Sequence, residues 1–348
     1  MNRLLVLIRT IAVLAVVAIV TGLFAQASYG SLTILDLFWE GIVPLVPIWL
    51  LVSPQTWRQV CPVATVNLSI PSLPHRRRQP LAAKLPAKAA HWLRRYGLIV
   101  AAVILWVVVP MRLVLFNSSA TATGMLILSI VAIAGMMGFL MPWKSGWCAT
   151  ICPVYPVEKL YGAAPPITIH DKRCATLAGS KSCFRCSLNC ADIPASDVNY
   201  WNAMQNVPAK NSVHAIRNFF IGSFPGFVLG YVLIWAYAHI TKPTLSDILF
   251  VYAVILAMML VSFSLYRFFT SKATTGSSAR STVIALLIAL NIYYIVGANG
   301  IATVVSKIAG REDLVLSFMF PILGLVFVSS FIWLIRVWRR PLESYIQW

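Results

Sequence analysis

Seven cysteines carry the chemistry open to this sequence, and six of them lie between positions 148 and 190. Two patterns stand out. One is Cys148-Ala-Thr-Ile-Cys152-Pro153, a CxxxCP; the other is Cys174-x8-Cys183-x2-Cys186-x3-Cys190. A bacterial ferredoxin run reads C-x2-C-x2-C-x3-C-P. The last two spacers agree with it, the first has grown from two residues to eight, and Pro194 arrives late. Such spacing has a physical use: a cubane cluster needs thiolates converging from several directions, and close cysteines on a turning loop supply two or three while a distant one closes the site. The seventh cysteine stands in an echo of the first pattern. Trp57-Arg-Gln-Val-Cys61-Pro62-Val63 aligns with Cys148-Ala-Thr-Ile-Cys152-Pro153-Val154, with Trp57 where Cys148 stands. Cys61, Cys148, Cys152, Cys174, Cys183, Cys186 and Cys190 are therefore candidate ligands of one or two [4Fe-4S] clusters. Two clusters call for about eight ligands, and His170, Asp171 and Asp192 are candidates for the one the cysteines leave open. One cluster with three spare cysteines is the other count. Zinc is the alternative metal, since Cys183-x2-Cys186 would suit half of a four-thiolate site, although zinc sites commonly pair two such knuckles. Cys61 could also be a small packed residue at a membrane face.

The elements that position these thiols are membrane helices. Of the 348 residues, 59% are hydrophobic and 11% charged, with a mean hydropathy of +0.80. A soluble domain carries about a quarter charged residues. Eight apolar runs, about 5–25, 36–53, 97–116, 122–141, 218–239, 247–268, 281–299 and 314–336, approach the ~20 residues that cross a bilayer. The second carries Asp36 and Glu40 at its start and Pro44 and Pro47 near its middle, so a kinked or re-entrant helix is its alternative reading. The expected fold is an all-α integral membrane protein of about eight transmembrane helices with a cytoplasmic Cys-rich, ferredoxin-like loop. It divides into a four-helix membrane half (1–141) containing the Cys61 loop (54–96), an iron–sulfur loop (142–217) and a second four-helix half (218–348).

Eight spans put both termini and the loops 54–96 and 142–217 on one side, which then holds 24 of the 28 Lys and Arg. The positive-inside rule makes that side cytoplasmic. The net charge of +18 follows mainly from this asymmetry rather than from nucleic-acid binding. The His75–Arg78 run would hold its loop inside, against anionic headgroups. All seven cysteines fall on the reducing side and outside the spans, where metal binding or redox chemistry is favoured over disulfides. Ala25-Gln26-Ala27 resembles a signal-peptidase site, but an uncleaved first helix is the favoured reading, with Arg9 reaching the inner surface.

The other chemistry is sparser. No Gly-rich phosphate loop, serine triad or paired carboxylate is visible, and the five histidines (75, 91, 170, 214 and 239) offer no facing pair at helix depth for a haem. His239 could join Asp36, Glu40 or Arg112 in a quinol site on the outer side, which makes a quinone a further candidate cofactor. Lys144, Lys172, Arg173, Lys181 and Arg185 surround the cysteines, where they would favour a reduced cluster and steer an acidic donor. The membrane interior is nearly free of charge, which speaks against a transporter.

At SGWCATICPVYPVEKLYG (145–162) and KRCATLAGSKSCFRCSLNC (172–190) the chain resembles the membrane-bound 4Fe-4S polyferredoxins of the NapH/NosR type, well over about 140–200 and faintly over 55–65. It departs from them in having one intact CxxxCP, one relic and one stretched run. The resemblance implies a component of an oxidoreductase system in the bacterial inner membrane rather than a stand-alone enzyme. Its clusters would relay electrons between a cytosolic ferredoxin or flavodoxin, or the quinol pool, and a membrane or periplasmic reductase. The alternatives are a membrane iron–sulfur or redox sensor or assembly factor, and a zinc-stabilised membrane protein without electron transfer.

Overall fold

The computed structural model describes residues 3–69, 85–141, 146–161, 211–237, 244–271 and 275–339. It is an all-α bundle with eight helices long and apolar enough to cross a membrane, each on a run expected from hydropathy. In chain order, α1 is Arg3–Phe24, followed by a two-stranded hairpin of β1 (Ser28–Tyr29) and β2 (Leu32–Thr33), then α2 over Ile34–Val52. Two short helices follow, α3 (Pro54–Val60) and α4 (Pro62–Ser69). Next come α5 (Ala87–Met111), α6 (Ala120–Leu140) and the short α7 (Tyr155–Tyr161). The second half is α8 (Asn211–Tyr237), α9 (Leu245–Ser271), α10 (Thr275–Ile308) and α11 (Val315–Arg339).

The second span is a continuous helix in spite of its prolines. Thr33 caps it in a box with Asp36, and it widens to a π turn over Leu37–Ile42. Pro47 lies inside the following stretch, and the break is mended from outside. The Tyr294 hydroxyl of α10 donates to the Pro44 carbonyl at 2.6 Å and accepts from the Ile48 N–H at 2.8 Å, so it sits inserted in the helical ladder. In lipid a helix must satisfy its own backbone groups or borrow partners from a neighbour, and α2 borrows from α10.

The core is continuous across the halves: Phe220, Phe224, Leu290, Tyr294 and Trp333 pack with Leu51, Ala102 and Tyr161. Gly222, Gly226 and Gly230, one every fourth residue of α8, let α9 approach so closely that a Cβ on Gly226 would stand 2.0 Å from the Met258 carbonyl oxygen. The short α7 is pinned into the second half at both faces. Its Tyr161 hydroxyl donates to the Leu286 carbonyl at 2.8 Å, and Trp333 Nε1 donates to the Tyr161 carbonyl at 2.9 Å.

The chain up to residue 161 contains two similar units, each a pair of spans followed by a cysteine segment. In the first unit, α3 and α4 lie against α1, the leading span of their own pair. In the second, the turn bearing Cys148 and α7 lie against α5, the leading span of theirs. The units also exchange partners: α4 packs on α6 of the second unit, and α7 packs on α2 of the first. Gly138 on α6 permits this, since its bare Cα faces the Asn67 backbone of α4.

Candidate metal centre at the cysteine end

The exchange of partners brings three cysteines from two loops into one apolar patch. Cys148 is buried and Cys61 and Cys152 are half-buried, walled by Ala64, Ala134, Met137, Met141 and Trp147. The echo seen in the sequence is also an echo of conformation. Cys61 has φ −54°, ψ 122° and Cys152 has φ −59°, ψ 120°. Each ends one short helical segment and precedes a proline. Proline is favoured at the first position of a helix because its fixed φ suits the helix and its missing N–H would be unsatisfied there anyway. In the first unit Pro62 opens α4, so that Cys61 stands at the helix start, where the Val63 and Ala64 N–H groups favour the charged thiolate. The Val154 N–H favours the charged form of Cys152 in the same way.

The two units differ at the position where Trp57 replaces Cys148. In the first, α3 is α-helical and the Cys61 N–H donates to the Trp57 carbonyl four residues back. In the second, Trp147–Ile151 is a π turn, with the Cys152 N–H reaching five residues back to Trp147. Trp57 packs edge-on to Trp49, with ring centroids 5.7 Å apart. Close backbone contact fixes the second unit, for a Cβ on Gly97 of α5 would lie 2.7 Å from Thr150 Cα.

Burial pushes the Cys61 thiol above its usual range, although the Val63 and Ala64 N–H groups and the Arg58 charge pull the other way. Cys152 is pushed well up, first by burial and then by neighbouring Cys148 and Cys61. The three cysteines share one apolar cluster. Among the described residues, no three His, Cys, Asp or Glu side chains are grouped to hold a single metal ion. A tetrahedral ion needs every sulfur about 2.3 Å from one centre. A cubane offers a separate corner iron to each thiolate, so its ligands stand farther apart. The chemistry of the three donors, soft thiols gathered from two loops in an apolar patch, is that of an iron–sulfur ligand set.

Arg58, three residues before Cys61, and Glu158, six after Cys152, form a buried ion pair, with side chains only 3% and 6% exposed. The Arg58 guanidinium also lies 5.8 Å from the centre of the Tyr155 ring. The sequence places Glu158 on a short helix after the motif, as found, but gives no sign of its partner. Cys174, Cys183, Cys186, Cys190, His170, Asp171 and Asp192 lie outside the described residues, as do Lys144, Lys172, Arg173, Lys181 and Arg185. Arg9 Nε donates to the Gln59 carbonyl at 2.8 Å, tying α1 to α3.

A second polar group sits at the opposite end of the first half, where Glu40, Pro44, Arg112, Tyr231, Trp235 and Tyr293 line a small cleft with room for about one water. Arg112 is buried. It donates to the Trp39 carbonyl at 2.9 Å and to Asn117 Oδ1 at 3.0 Å, and faces the Trp39 ring at 4.9 Å. Two π turns shape this cleft, Leu37–Ile42 and Arg112–Phe116. Of the residues grouped here from sequence, Glu40 and Arg112 share the cleft, Asp36 turns to Lys307 at 3.2 Å, and His239 lies outside the described residues. Tyr231, Trp235 and Tyr293 are additions that hydropathy hides within apolar spans.

Comparison of the chain with family profiles, curated proteins and solved structures found no match.

Proposed function

We propose that this chain is a membrane electron-transfer protein that holds one or two [4Fe-4S] clusters at its cysteine end, facing the cytoplasm of a bacterial inner membrane. The observation that carries the reading is the meeting of Cys61 with Cys148 and Cys152, in matched backbone poses, from loops 87 or more residues apart. Packing alone would not call for three thiols in one patch, two of them in matched backbone poses before a proline. The concentration of 24 of 28 Lys and Arg on that side supports its cytoplasmic orientation.

A bound cluster supplies one-electron exchange, and the levers left to the protein are ligand identity, hydrogen bonds to sulfur and burial. Cys61, Cys148 and Cys152 would hold iron, with further thiolates from Cys174, Cys183, Cys186 and Cys190. The Val63, Ala64 and Val154 N–H groups lie where they favour negative charge on sulfur. The wall of Ala64, Ala134, Met137 and Trp147 limits water. Electron exchange with the far side must bridge about 30 Å of hydrocarbon, which calls for a second carrier. A quinone is one candidate, and a reductase subunit is the other; an acidic ferredoxin or flavodoxin suits the basic cytoplasmic loops.

The deciding experiment measures iron and acid-labile sulfide on anaerobically purified protein, with EPR before and after dithionite. About eight iron and eight sulfide per chain would mean two clusters and about four would mean one. Cys61→Ser and Cys152→Ser should each lower the iron content. Protein that holds zinc, or no metal, would refute the electron-transfer reading and favour a zinc-stabilised protein or a thiol-based sensor.

A further inference from the structure

We propose that the buried Arg58–Glu158 pair is a positioning latch, which clamps the Cys61 segment of the first unit onto the Cys148–Cys152 segment of the second and sets the spacing of their thiols. The latch stands on geometry; its effect on a bound cluster rests on the iron–sulfur reading above.

Arg58 belongs to α3 and Glu158 to α7, segments 100 positions apart in the chain. Arg58 stands three residues before Cys61 on α3, and Glu158 lies on α7, the helix that follows the Cys152–Pro153 turn, so the pair joins the two thiol-bearing segments themselves. Both side chains are almost fully removed from solvent. Two charges taken out of water gain no more than a well-packed apolar pair would, and losing either one leaves the other stranded. What such a pair supplies instead is register, because Arg Nε meets a carboxylate oxygen only in a narrow range of positions. The duplication sharpens the point. In the aligned units Arg58 corresponds to Ala149 and Glu158 to Asn67, so neither unit carries the pair internally. It exists only between units, across the same exchange that brings the thiols together. The Tyr155 ring covers the guanidinium and limits its other poses.

The test uses full-length protein in membranes, compared as wild type, Arg58→Gln, Glu158→Gln and the exchanged pair Arg58→Glu/Glu158→Arg. Metal-free protein is treated with dibromobimane, a short thiol–thiol cross-linker, and bridged peptides are mapped by mass spectrometry. Wild type should yield a bridge from Cys61 to Cys148 or Cys152. Each single variant should lose it while remaining folded by its melting curve, and the exchanged pair should recover it. A purely structural pair would lower the melting temperature and leave the bridge intact in surviving folded protein. That result, or wild-type bridging in both single variants, would overturn the latch. Should the single variants fail to fold, Arg58→Lys serves in their place: it keeps the charge without the fork and should weaken the bridge, whereas an unchanged bridge would overturn the latch. Iron-loaded protein gives a separate readout, in which the single variants should shift the EPR signal and midpoint potential. Absence of iron from wild type would defeat the cluster reading alone, since the bimane bridge still decides the latch.

Discussion

Replacing Gly138 with alanine should be costly far beyond the size of a methyl group. The new Cβ would stand 2.1 Å from the Asn67 carbonyl oxygen and 2.9 Å from its carbonyl carbon. Real Cβ contacts essentially never fall below 3.0 Å, so α4 would have to move away from α6 by about 1 Å. The obstacle is backbone, which cannot swing aside as a side chain can. Overpacking of this kind costs about 1–3 kcal/mol, and the upper part of that range applies here. The gain in helix propensity from Gly to Ala returns about 0.5–1 kcal/mol, which leaves a net loss of roughly 2 kcal/mol. Gly324 on α11 supplies the control, because nothing lies within 4 Å of a Cβ built there. Gly324→Ala should therefore be neutral or stabilising by up to about 1 kcal/mol. The assay is the apparent melting temperature of the two variants in detergent at one scan rate, since membrane proteins often unfold irreversibly and absolute values depend on rate. In the same samples the shifted α4 should carry Cys61 away from its partners and lower the Cys61–Cys152 bimane yield. If Gly138→Ala melted with or above Gly324→Ala and kept its cross-link, the close packing of α4 on α6 would be wrong, and with it the explanation of how Cys61 reaches the second unit.

Two further outcomes are expected. Tyr294→Phe removes the hydroxyl that bridges the Ile48 N–H and Pro44 carbonyl, leaving two buried backbone groups to fend for themselves at about 1–3 kcal/mol each; thermal melts should show a clear loss, and an unchanged melt would mean that α2 closes its own ladder. In metal-free protein the raised Cys152 value means that the folded chain holds its proton longer than the unfolded chain does. Below the ordinary thiol range of about 8.5 both states are neutral and nothing is gained or lost; above it the unfolded chain ionises first and stability falls. Iodoacetamide should accordingly label Cys152 slowly at pH 8–9 in folded protein and quickly in urea, and equal rates would contradict its burial.

The membrane architecture was legible because lipid leaves few choices: each apolar run of sufficient length became a helix. The seventh span shows where that reading stopped short. Hydropathy ends it near residue 299, yet α10 continues to Ile308. The small residues that weaken the signal are there for contact, since a Cβ on Gly300 would stand 3.1 Å from the Glu40 carbonyl oxygen of α2 and one on Gly297 would stand 3.4 Å from Pro44 Cβ. The prolines of α2 announced a break, but its repair by a tyrosine some 250 positions later left no trace in local pattern. At the cysteine end the repeat around Cys61-Pro62 was visible as spacing, and its backbone pose followed. Arg58 and Glu158 were not visible as a pair, because a lone basic residue near a membrane face reads as an orientation signal, and only tertiary folding sets it against a carboxylate from another loop. Asp36 was grouped with Glu40 and Arg112 on position alone, and Lys307 at the end of α10 claimed it instead.

The exchange of α4 and α7 between units has a consequence for biogenesis. Synthesis runs from the N-terminus, so α4 and Cys61 leave the ribosome long before the span on which α4 rests. Until α6 has inserted, α4 has no wall to lie on, and until α7 has been made, Arg58 has no counter-charge. The thiols of the two units thus meet only once four spans are in place, and α7 is fully anchored only when Leu286 and Trp333 of the second half arrive. Any metal that needs all three of these thiols must be delivered after the fourth span has been made, to a chain already threaded through the membrane. Truncated chains would expose unmatched cysteines at the bilayer surface, a mark by which quality-control proteases could tell an unfinished product from a finished one.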